Sequence, residues 1–261
     1  MNDIRHPAVS GAFYPSDPDQ LTSQINQFLD HAKSQSTVPK AIIVPHAGYQ
    51  YSGAIAANAY HLLKPVKQKI KRVVMLGPSH HFAFAGIATC SSVVYRTPLG
   101  DIPIDHEEQR KLLQLDQVNT LDQAHLKEHS LEVQLPFLQI LLDDFKLIPL
   151  VVGDASKKDI SAALELVWND DDTLIVVSSD LSHYLPYDEA RQKDFATSNA
   201  IKNFDGDQIH RKDACGRNSI KGLLHCAKKK HMTSQILDVR NSGDTSGTKN
   251  RVVGYGSYAF H

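Results

Sequence analysis

Short β-branched runs alternate with stretches of helical periodicity along most of the chain, and that alternation predicts an α/β fold around a buried sheet. The runs 41–44, 72–76, 147–152 and 173–177 are apolar almost without interruption, the pattern of strands covered on both faces. Helical spacing occupies roughly 53–63, 187–203 and 217–229, and a further helix is expected from Ser130 onward, with Pro136 early in it or kinking it. Residues 86–95 alternate well enough for one strand, ended by the turn Pro98–Asp101. Two strands, 234–239 and 252–260, close the chain on either side of the loop 241–247. No repeat, low-complexity tract or linker divides the sequence. Residues 1–261 are therefore expected to form one domain, with a central mixed, largely parallel sheet flanked by helices.

Polar residues with ligand chemistry stand just past the carboxyl ends of three apolar runs. His46 follows the first, His80 and His81 the second, Asp180 and His183 the run 173–177. Open α/β sheets bind ligands in the crevice outside those strand ends, so parallel neighbours would bring the three loops to one edge. The Asp244 loop can join them.

Two histidines and a carboxylate with open positions form the facial triad of non-haem Fe(II) sites. His46 and His80 with Asp244, or else Asp180, offer that set. A single histidine is more often a loop cap or a backbone partner, whereas three loops ending alike tip the balance toward a metal or catalysis. Asp180 beside His183 suits a general base or an oriented ligand, and suits equally a cap for a helix starting near Pro186. By spacing, His129 and Glu132 read as a helix N-terminus. Cys215 and Arg217 precede a helical stretch, where a thiol pKa falls and a guanidinium can clamp an anion, a weak signal alone. Tyr49 and Tyr51 fit a pocket wall or simple packing.

Bulk composition narrows the partners. The chain is 41% apolar and 22% charged with a net charge of -1, leaving no electrostatic footprint for nucleic acid. The run Lys228–Lys230 fits a solvated helix end. Three cysteines without paired spacing, no apolar stretch long enough for a membrane and no apolar leader predict a cytoplasmic protein. Histidine, at 14 residues, is the outlier.

The segments HPAVSGAFYPSD, AIIVPHAGYQYSG, VVMLGPSHHFAF, YRTPLGDIPID, EHSLEVQLPFLQ, IPLVVGD, VVSSDLSHY, ACGR and NSGDTSG together resemble the Memo family over nearly the whole chain. That resemblance implies a fold like the class III extradiol ring-cleavage dioxygenases, with His46 and His80 as metal ligands. It implies acid/base roles for His183 and His129, with Asp180 beside His183, and makes Cys215 and Arg217 pocket positions, while His81, Tyr49 and Thr245 are pocket candidates by their own place in the loops. The third ligand is expected on the C-terminal loop, at Asp244 or Thr245. With no cysteine in that loop, Fe(II) leads, zinc is possible and copper chemistry that requires thiolate is disfavoured. The resemblance further implies an unknown small-molecule or peptide substrate and a pathway shared with AMMECR1-like and radical SAM proteins.

Overall fold

The computed structural model describes residues 4–168, 171–245 and 247–261. The chain runs β1 (Ile4–Arg5), α1 (Pro18–His31), β2 (Ala41–Val44), α2 (Tyr49–Tyr60), β3 (Arg72–Pro78), β4 (Ile87–Thr89), β5 (Val94–Thr97), β6 (Gly100–Pro103) and α3 (His106–Leu112). It continues through β7 (Val118–Thr120), α4 (Asp122–Leu126), α5 (Leu135–Leu141), β8 (Lys146–Val152), α6 (Lys157–Val167), β9 (Thr173–Ser178) and β10 (His183–Leu185). Then follow α7 (Tyr187–Lys202), α8 (Arg217–Lys229), β11 (Ser234–Asn241), the single turn α9 (Ser242–Thr245) and β12 (Val252–Phe260).

The centre of the main sheet is parallel, in the order β2-β9-β3-β8. Its wings are antiparallel: β12 on β2 with β11 beyond it, and β4 on β8, with β7 parallel to β4. A small second sheet joins β1, β5 and β6. Alternate residues of the central strands feed two cores. Ile42, Val44, Val73, Met75, Leu174 and Val176 pack toward α1, α2 and α5. Ala41, Ile43, Val74, Leu76, Ile175 and Val177 face α6, α7 and α8. Both sides are dry, which explains the continuous apolar runs. A Cβ on Gly222 would fall 2.2 Å from Ile160, so glycine is what lets α8 lie against α6.

Two expectations change. Residues 86–95 form two strands in different sheets. Ser91 breaks the run, because its N–H and hydroxyl both donate to the Asp122 carboxylate at 2.7 Å. The helix expected from Ser130 starts later, as a 3-10 turn over Glu132–Gln134 and then α5, with Pro136 in its first turn, where the missing N–H does no harm. α1 and α6, both unread in the sequence, carry ordinary start signals. Asp17 caps Gln20 N ahead of Pro18, and Ser156 and Asp159 form a reciprocal capping box. Among the described residues no helix is long and apolar enough to cross a membrane.

Candidate metal centre

Parallel pairing of β2, β9 and β3 sets the loops that carry His46, Asp180 and His80 side by side. His46 is buried, and its backbone N–H donates to Asp180 Oδ1 at 2.8 Å, tying two loops together. Its ring orientation follows from Ser178. That hydroxyl spends its only proton on Ser130 O (2.6 Å) and accepts from Gln134 Nε2 (2.9 Å), so it must accept again from His46 Nδ1 (2.9 Å). His46 is thereby the Nδ1–H tautomer, with the Nε2 lone pair turned toward the Cys215 thiol. Burial, helped by nearby His80, drives its pKa down to about 3, so the ring is neutral at physiological pH.

His80 is held by Glu128, a residue that sequence reasoning missed. The Glu128 carboxylate accepts from His80 Nδ1 (2.8 Å), His80 N (2.6 Å), Ser130 N (2.9 Å) and His129 N (3.0 Å). Burial opposes its charge, but the His80 hydrogen bond and charge prevail and hold the carboxyl down at about 2. Burial likewise works against protonated His80, and Glu128 raises the His80 pKa on balance. His80 therefore also turns its Nε2 away from its anchor, the carboxylate–histidine arrangement found around metal ions. His129 stacks on the His80 ring (centroids 4.6 Å apart) and meets His46 edge-on at 5.4 Å. Burial, with His46 beside it, pushes the His129 pKa down to about 4.

The third ligand-capable atom beside the His46 and His80 rings belongs to a thiol. Cys215 Sγ lies 3.4 Å from His46 Nε2, and ligand atoms of His46, His80 and Cys215 all fall within 4.8 Å of one another. An imidazole nitrogen and a thiolate on one tetrahedral ion stand about 3.5 Å apart, so the residues fit a metal. His80, Glu128 and His129 form a second such group. Burial, together with Asp180, pushes the Cys215 thiol up to about 12, the reverse of the lowered pKa expected at a helix start. A proton must therefore leave when a cation binds.

Asp244 is not part of this set. Its carboxylate accepts from Tyr187 Oη and from Asn241 N (2.9 Å), and it lines another cavity with Asp188 and Arg191. Thr245 Oγ1 turns back to Ser242 O at 3.4 Å. The C-terminal loop closes its own turn and presents Ser242 and Gly247 to the histidines instead. Thiolate chemistry, disfavoured for want of a cysteine there, is reopened by Cys215 from a different loop.

The remaining residues divide. A cavity of about 680 Å³ opens over the cluster and is lined by His46, His80, His129, Asp180 and His183, with Phe13, Tyr51, Tyr184, Arg251 and Tyr255. Asp180 is buried, and desolvation raises its pKa against the opposing His46 N–H and His183. Tyr49 is a core residue, not a pocket one. It is 2% exposed, donates to Val133 O (2.8 Å) and packs on Phe137. His81 is exposed and meets only the outer side of His129, at 6.1 Å. Arg217 lines a neighbouring cavity that shares Cys215. The helix-cap reading of His129 and Glu132 also gives way, since Glu132 instead pairs with Arg5. Glu128 had one local signal, its place beside a pocket histidine.

A structure from Escherichia coli K12 described as an uncharacterized protein superposes with a TM-score of 0.51 over 83% of this chain and 98% of that one, at 11% identity. It shares the fold. A MEMO1 family protein of Aquifex aeolicus is 38% identical over 97% of each chain. One from Sulfolobus acidocaldarius is 37% identical over 98% of this chain and 99% of its own. The family model described as Memo-like protein matches residues 5–259, and the chain belongs to that family.

Proposed function

We propose that this chain is a non-haem metalloprotein in which His46, His80 and Cys215 hold one transition-metal ion, with iron the first candidate, for oxygenase-like or redox chemistry on a small molecule. The observation that carries the reading is the tautomer arithmetic. Ser178 and Glu128 consume the Nδ1 protons of the two histidines, which leaves two lone pairs converging beside a thiol. Imidazole suits iron, zinc and copper alike, and a thiolate admits copper(I) and zinc more readily than a carboxylate would. A redox-active ion held there would supply electron transfer and polarise a bound oxygen atom. Neutral His129, next to His80 in the cavity wall, is placed to take a proton from the substrate. Dependence on a reduced thiol fits a cytoplasmic setting, and the family resemblance extends the reading to a route shared with AMMECR1-like and radical SAM proteins.

Recognition of a peptide is the second reading. It draws on Tyr184, 63% exposed at the cavity mouth with the Arg251 guanidinium 5.1 Å over its ring. Anaerobic purification and elemental mass spectrometry separate the two. The expected result is about one iron per chain, falling below about a tenth in His46→Ala and Cys215→Ser and unchanged in Asp244→Ala. Stoichiometric zinc instead would point to hydrolysis through bound water. No metal under any loading condition would sink the proposal and leave the peptide pocket.

A further inference from the structure

The loop that carries Cys215 has a second face. There, residues 215–219 line a separate cavity of about 380 Å³ together with Phe82, Phe84 and Gly153, whose carbonyl accepts from Asn218 Nδ2 (3.0 Å). α8 starts at this wall with Gly216 as its N-cap and no side-chain cap. Gly216 N donates to Ser179 Oγ (2.9 Å) and Arg217 N to Ala214 O (3.3 Å). Asn218 N and Ser219 N find no acceptor among the described residues. Ser219 is 0% exposed and lines the cavity, and its hydroxyl has no hydrogen-bond partner. A buried hydroxyl left unpaired is costly, so its persistence at this wall calls for a ligand. Arg211 and Arg217 also line the cavity, and neither has an ion-pair partner among the described residues. Asp154, the one carboxylate lining the cavity, stays beyond ion-pair distance of both.

Two N–H groups without an acceptor, an orphan hydroxyl and two arginines thus line one cavity at an uncapped helix start. Each is a donor or a cation, and the helix dipole adds positive potential at the same place. We infer that the N-terminus of α8 is an oxyanion subsite that takes the phosphoryl group of a small molecule, in a cavity that includes Cys215 and shares no lining residue with the histidine cavity. Phosphate supplies three acceptor oxygens, enough for the N–H pair and an arginine fork together, where a carboxylate supplies two. The inference stands on these groups alone and does not require the metal.

The test is titration of the protein as purified with inorganic phosphate, followed by calorimetry and phosphorus NMR, with acetate in a parallel arm. Phosphate should bind saturably and more weakly as salt rises. Arg217→Ala and Arg211→Ala should each weaken it by about tenfold, and Ser219→Ala by a smaller factor. Without phosphate, Ser219→Ala should melt no lower than the parent, because it removes an unpaired group rather than a bond. Unsaturable phosphate binding overturns the inference, as does binding that survives loss of both arginines in a folded variant. Acetate binding as tightly as phosphate overturns the phosphoryl assignment. Metal content is read separately in each sample, so the failure of either proposal is visible without the other.

Discussion

Residues 125–132 carry two clusters of the same residue types, back to back. His125 and His129 lie four residues apart, and burial drives both imidazoles down to about 4. Glu128 and Glu132, also four apart, are 2% and 0% exposed. On one side His125 and Glu132 tie down the N-terminal segment through Arg5. The Arg5 guanidinium donates to Glu132 and to His125 O, and Glu132 also accepts from Ala8 N (2.7 Å), Val9 N (3.0 Å) and Tyr14 Oη (2.6 Å). On the other side Glu128 and His129 surround His80. Burial and perturbed pKa values do not distinguish the two clusters. The distinction is whether a lone pair is left over. His125 spends both nitrogens on tyrosine and backbone oxygens, Tyr95 Oη and Ala88 O, while His80 spends one and the second nitrogen of His46 meets only the Cys215 thiol among the described residues.

The sharpest way to break the comparison is to remove the carboxylate on the clamp side. Glu132→Ala leaves the Arg5 charge buried without its partner, and losing one member of a buried pair costs about 3–5 kcal/mol. Urea unfolding should show that loss, while metal per folded chain stays at the parent value. A metal deficit in the folded fraction would show that the two sides are not separate.

Titration sharpens it next. The folded-state pKa of His125 lies below its unfolded value, so its stabilising contribution is complete above about pH 6.5 and is lost as pH falls toward about 4. In that window the unfolded chain binds a proton that the fold refuses, which costs up to about 1.4 kcal/mol per pH unit. His129 and His46, with pKa values of about 4 and about 3, add to the same slope. His125→Gln, whose amide can both donate to Ala88 O and accept from Tyr95, should flatten the slope by about one proton. Denaturant midpoints measured at pH 7, 6 and 5 check it, and an unchanged slope would clear His125.

The same division explains what was legible in the sequence. Strand ends are local: the apolar runs at 41–44 and 173–177 stop where β2 and β9 stop, so the loops of His46 and Asp180 could be placed on one edge in advance. Helix α8 matched residue for residue. The place of Cys215 beside His46 was not legible, because it depends on a contact across the fold, the Gly216 N–H on Ser179 Oγ 37 residues away, which no spacing rule records. Asp244 was overvalued for the opposite reason. Its carboxylate bonds a backbone N–H three residues earlier, and the stretch Asn241–Asp244 has the composition of a self-closing turn. Tyr49 stood as a pocket candidate although its pattern is more often packing, and the packing of α2 against α5 decides for core.

The smallest effect is expected where the two clusters touch, at Glu128. Glu128→Gln keeps the shape, and its carbonyl oxygen at the Oε1 position can still accept from His80 Nδ1, His129 N and Ser130 N, while the amide NH2 faces the His80 backbone N–H that Oε2 accepted from. It loses the negative charge that faces His80 Nδ1 at 2.8 Å. The His80 ring stays near its place but becomes a weaker donor, and its tautomer is no longer enforced. Changes of this kind beside a metal ligand cost about 10- to 100-fold in metal affinity. Competition against a chelator should show that drop. Thermal unfolding should move far less than in Glu132→Ala, because no buried cation is stranded: the His80 imidazole reaches solvent through its 27% exposed face, an escape closed to Arg5. Equal affinity in the variant would mean that Glu128 is a second structural clamp, and the two sides of this segment would then be alike.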